Sequence, residues 1–147
     1  MSTSGNNVRR RRRRGNGVLE AALVLPVLMA MSLGMVEFGQ FFYMKHSIQG
    51  ASRDGARRAI LGSTTHTNAS NAVKNAMTAA GVTDATKYKV AFQNAQTSAS
   101  ITDVAAVTKG TAIKVTVTAT AGAVSVRPLG IIPASKAIVG TTTMIKE

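Results

Sequence analysis

The chain has 147 residues, with 18 Lys and Arg against 6 Asp and Glu, a formal charge of +12, and neither Cys nor Trp. The lack of cysteine excludes disulfides as a means of support. A basic balance and an isoelectric point near 11.3 are a footprint for phosphate binding, yet no nucleic-acid recognition motif follows, and four Phe and two Tyr leave little to stack on bases.

The charge is concentrated at one place. Six consecutive arginines, Arg9 to Arg14, stand directly before an apolar segment, and cytoplasmic flanks of membrane helices carry the excess of Lys and Arg. Residues 21–36 carry no charge, and an aromatic border of Phe38, Phe41, Phe42 and Tyr43 follows before Lys45. As a helix, residues 21–44 reach about 36 Å, enough for a hydrocarbon core of about 30 Å. The segment reads as a single span with the N-terminus inside and the C-terminal part outside. A secretory signal peptide shares the basic and apolar regions, but no small-x-small cleavage site ends this run.

Two acidic residues bracket the span. Glu20 and Glu37 lie about 25 Å apart on a continuous helix. Acidic groups at membrane depth face a partner, a cavity or the interface; the plain alternatives are a favourable helix dipole for Glu20 and interfacial location for Glu37. The helix continues past the membrane, since no Pro interrupts residues 45–62. There Ser47, Ala51, Gly55 and Ala59 recur every fourth residue, a small-residue ladder along which helices can approach closely; together with Glu37 they are candidates for helix packing against sister subunits. Pro26 removes one backbone bond and is expected to loosen the helix locally.

A Gly ending a basic leader, with Glu20 five residues on and an apolar helix behind it, is similar to the class III leader of type IV pilins and pseudopilins. The Val-Leu-Glu-Ala-Ala-Leu-Val-Leu-Pro run, the Gly34-Met-Val-Glu37-Phe38-Gly39-Gln40 block, Tyr43, and Ala51-Ser-Arg53-Asp54-Gly55-Ala56-Arg57 narrow the likeness, so that the stretch 15–62 resembles the TadE family of tight-adherence pilus proteins. The resemblance implies cleavage by a prepilin peptidase between Gly15 and Asn16, and pairing of Glu20 with the freed amine of Asn16 in a neighbouring subunit. Removal of residues 1–15 takes away the six arginines, so the formal charge falls from +12 to +6. It implies as partners the peptidase, other pilin-like subunits along the N-terminal helix, and inner-membrane lipid, with no specific nucleic acid.

Beyond Gly62 the composition changes. Residues 63–70 read as a Ser/Thr/Asn-rich linker, with Asn68 or Ser70 capping a short helix over about 69–80 that Gly81 ends. Alternation predicts strands at 88–93 and 113–120, a weaker one near 100–104, and a last one over about 136–145. Their apolar face needs cover from the short helix or from the upper half of the long one. Residues 127–135, rich in Pro, Gly, Leu and Ile, form an apolar loop that is either tucked into the core or offered to a partner.

No catalytic signature is present: His46 and His66 are isolated, and Asp84 and Asp103 stand without a partnered nucleophile or metal-ligand spacing. The expectation is no enzyme, no cofactor and no metal. The fold class is α+β: a long N-terminal membrane-spanning helix followed by a small antiparallel-sheet domain with a short helix. Three regions follow, a leader at 1–15, the spanning and extended helix at 16–62, and an outward-facing domain at 63–147. The expected role is structural, as a minor pilin, pseudopilin or assembly factor of a tight-adherence pilus or related secretion filament. The alternative is an uncleaved, single-span anchored binding module.

Overall fold

The structure, a computed structural model, describes the backbone of residues 7–147 and the side chains of residues 17–147. One helix, α1 (Asn7–Ala59), runs without interruption through Gly15 and Pro26. It therefore starts just before the arginine run, not after Gly15, in keeping with the good helix propensity of Arg and the ease of extending a helix once nucleated. Then come α2 (His66–Ala79), β1 (Tyr88–Asn94), β2 (Ala112–Thr120), the single turn α3 (Ala121–Val124) and β3 (Ala137–Ile145).

The strands form an antiparallel meander in the order β1-β2-β3. Register puts Phe92 opposite Val115 and Val90 opposite Val117 on one side, and Met144 opposite Ile113, Gly140 opposite Val117 and Ile138 opposite Ala119 on the other. Because side chains alternate across a strand, these residues share one face. The upper part of α1 lies across that face with α2 beside it, so both helices provide the cover. Met44, Ile48 and Ala51 of α1 join Val73, Met77, Val117 and Ile138 in one buried cluster, while Ala56, Ala59, Ala69, Phe92, Ile113 and Val115 form a second. The segment 44–59 thus belongs to the same core as the sheet, although it is continuous with the exposed apolar stretch below.

Two expected boundaries are corrected. The polar 63–70 segment is only half a linker: α2 starts at His66, with Thr65 as its cap, the Thr65 hydroxyl accepting from the Asn68 amide at 3.3 Å. Burial of Ala69 against α1 draws the first turn into the helix. The strand expected near 100–104 does not form. The Asn94 side chain accepts from the Gln96 amide and Asp103 from the Ala105 amide, closing side-chain turns at both ends of that segment and leaving a lone bridge between Gln93 and Ser100.

Backbone contact between α1 and β3 is close. A β-carbon at Gly140 would lie 2.6 Å from the Ile48 carbonyl oxygen, so only glycine lets the strand pass there. One residue on, the Gln49 side chain pairs with the Thr141 backbone, donating to its carbonyl at 2.9 Å and accepting from its amide at 3.2 Å. Gln49 thereby occupies bonding groups that β3, an edge strand, would otherwise present to another chain.

Candidate functional site

Three features of α1 stand out. The first is its lower half. Every described residue from Gly17 to Leu33 is exposed, and the helix contains an 18-residue window of mean hydropathy 2.0 that is almost wholly uncovered. A soluble protein does not leave such a run in water; the helix is a candidate membrane anchor. Glu20 is exposed at the start of this run. Gly15 and Asn16 lie outside the residues whose side chains are described.

The second is Glu37, which is fully buried. Its carboxylate accepts from the Leu129 amide at 3.0 Å and the Ile132 amide at 2.7 Å, one bond to each oxygen. The loop that supplies them turns back at Gly130, whose φ of +67° is a conformation that side chains disfavour. Arg127 closes the loop, its guanidinium donating to the Ile132 carbonyl at 2.8 Å. Ile132 points into the core, whereas Leu129 and Ile131 run down the side of α1: a β-carbon at Gly34 would be 3.8 Å from Ile131 Cδ1 and 4.0 Å from Leu129 Cδ1. The apolar loop of the sequence is thus neither tucked wholly into the core nor free. Glu37 thus binds its own chain, with both carboxylate oxygens engaged from within.

The small-residue ladder is the third. Ala51, Gly55 and Ala59 are buried, and Ser47 is half-covered with its hydroxyl bonded to the Tyr43 carbonyl. The helix they meet is α2 of the same chain, together with the sheet. A β-carbon at Gly55 would fall 2.5 Å from Val73 Cγ2 and 3.4 Å from Val115 Cγ1. Within the chain this face is taken by α2, which returns antiparallel along the upper part of α1.

Some residues carry no signal in the sequence. Lys146 is buried, and its ammonium donates to the carbonyls of Ala59, Leu61 and Val104 at 3.1–3.2 Å. It caps the end of α1, where helix carbonyls lack partners and cations are favoured. Gly140 did leave a trace, since an isolated glycine within a strand pattern marks close backbone approach. His66 sets its ring edge-on to Phe92, with centroids 4.8 Å apart, and is a packing residue. Among the described residues, no group of three or more metal-ligating side chains converges.

The anchor, the buried acid and the glycine contact all lie in one stretch of α1, and this is the stretch that known proteins share. Residues 15–57 match the family described as TadE-like protein. The match covers the exposed apolar run, Glu20, Glu37, Ala51 and Gly55, and stops short of α2 and the sheet. Neither the curated proteins nor the solved structures contain a match to the chain. A TadE-like stretch with one apolar helix points to a membrane-associated, pilus-related protein.

Proposed function

We propose that this chain is a structural minor pilin, pseudopilin or assembly factor of a tight-adherence, type IV-like pilus or a related secretion filament. The observation that carries this reading is the coincidence of the TadE-like match with the exposed apolar helix. The arginines hold the N-terminus at the cytoplasmic face of the inner membrane, and the sheet domain lies outside. A prepilin peptidase cuts between Gly15 and Asn16. Glu20, uncovered on its own subunit, then meets the new amine of Asn16 on a neighbour, an ion pair whose attraction is large in a low-dielectric surrounding. The work is scaffolding and not catalysis, and it requires neither cofactor nor nucleic acid.

Coexpression with a matched prepilin peptidase tests the proposal. A product beginning at Asn16, abolished by Gly15→Leu and found in purified filaments, is the expected outcome; an intact N-terminus with an active peptidase refutes it. A second reading, the uncleaved anchored binding module, gains support from the internal use of the small-residue ladder, which leaves less of α1 for sister helices. Intact mass separates the two, since only the module retains residues 1–15.

A further inference from the structure

The uncharged run of α1, residues 21–36, is shorter than a hydrocarbon core: the bracketing acids Glu20 and Glu37 are about 25 Å apart along the axis, against about 30 Å of hydrocarbon. Any bilayer that covers the run therefore also immerses Gly34, and with it the two side chains that lie beside Gly34, Leu129 and Ile131. These belong to the sheet domain, not to the anchor. They are 41% and 53% exposed, and they border a groove whose other wall is Met31, Met35 and Phe38, all exposed as well.

We propose that the loop 126–132 is a lipid-inserted wedge: Leu129 and Ile131 sit in the leaflet on the domain's side, acyl chains fill the groove between them and α1, and Glu37 is the latch that holds the wedge against the helix. This rests on the anchor reading of α1 given above. Three observations favour lipid over a second protein helix as the occupant. The groove is continuous with the surface of the anchor itself. Its walls are large, flexible apolar side chains, whereas helix pairs in lipid meet through small residues, and Gly34 is already covered. Three of the polar groups that would be costly at this depth are satisfied internally: the Leu129 and Ile132 amides on Glu37, and the Ile132 carbonyl on Arg127. The consequence is that the sheet domain is held at a fixed depth and tilt on the membrane by two attachments, and does not swing on a single helix.

The chain has no native cysteine, so single cysteines can carry an environment-sensitive fluorophore. The full chain, in vesicles of phosphatidylethanolamine and phosphatidylglycerol, is labelled separately at Leu129→Cys, Ile131→Cys, Leu25→Cys within the anchor, and Val139→Cys on the open face of the sheet. Quenching is read from lipids carrying a nitroxide near the headgroup or deep in the chain. Probes at Leu129→Cys and Ile131→Cys should be quenched by the shallow nitroxide several-fold more than the probe at Val139→Cys. The wedge is refuted if they match Val139→Cys while Leu25→Cys is quenched by the deep nitroxide, a result that leaves the anchor intact. If Leu25→Cys is itself unquenched, the anchor reading fails first and the wedge with it. Shielding of both loop probes from lipid, with disulfide crosslinks forming between copies, assigns the groove to a second subunit and also refutes the proposal. In the Ile131→Cys background, Glu37→Gln turns an NH2 group toward one of the two loop amides, so quenching should fall toward the Val139→Cys level. Unchanged quenching there would overturn the latch.

Discussion

Replacing Gly55 by alanine should destabilise the domain, although alanine is the better helix former. In an exposed helix interior the exchange stabilises by about 1 kcal/mol. At Gly55 the added β-carbon would lie 2.5 Å from Val73 Cγ2, far inside the optimum of about 3.5–4.0 Å for two carbons. Val73 is β-branched and fully buried, so it cannot swing aside, and α2 must shift instead. Overpacking of this kind costs about 1–3 kcal/mol, which cancels or outweighs the propensity gain. Gly50 is the control, because a β-carbon there meets nothing within 4 Å and the propensity gain should appear whole. The two alanine variants should therefore differ by about 1–3 kcal/mol, with about 4–8 °C in Tm per kcal/mol for a domain near this size. Thermal unfolding of the full chain in mild detergent, scored by protease susceptibility, reads the difference. Val73→Ala should recover part of the loss when combined with Gly55→Ala, a coupling expected only of groups in contact. Equal stabilisation by Gly55→Ala and Gly50→Ala would refute the close approach. Leucine at Ala51 or Gly55 damages the monomer by the same logic, so a loss of intersubunit crosslinking in such variants would not report on sister helices.

Further outcomes follow from the same contacts. Lys146→Met removes a cation that donates to three carbonyls and leaves that of Ala59 without its donor; it should lower stability by about 1–3 kcal/mol, seen as a lower urea midpoint at unchanged slope. Burial raises the pKa of Tyr88 above 10.0, so its contribution to stability is whole below pH 10 and is lost as pH rises through the folded value. Tyr88→Phe should therefore be close to neutral at pH 7 and should flatten the alkaline loss relative to the parent chain, measured by denaturant midpoints on either side of pH 10. Glu20→Ala should still insert and be processed but be depleted from purified filaments, because the neighbour's amine would be left without a counter-charge at membrane depth. Incorporation at the parent level would leave Glu20 with only its helix-dipole role.

Much of this protein is legible in its sequence because the determining physics is local. Six adjacent arginines before a predominantly apolar stretch, residues 21–44, mark a candidate anchor whatever folds behind it, and period-two alternation in Ile113, Val115 and Val117 defines a strand with one buried face. The glycine and alanine spacing of α1 marks a face of close approach by the same local rule. What approaches it is a tertiary matter. Nothing along the chain says that α2 returns over Gly55, that Gly140 slides past Ile48, or that Lys146 travels from the last strand to the end of the first helix, since each joins residues that are distant in sequence. Glu37 shows the division most clearly. Its place at the border of the apolar run announces a buried or interfacial acid, but only the folded loop, brought back more than ninety residues later with its amides turned inward, decides that this charge is held by its own chain.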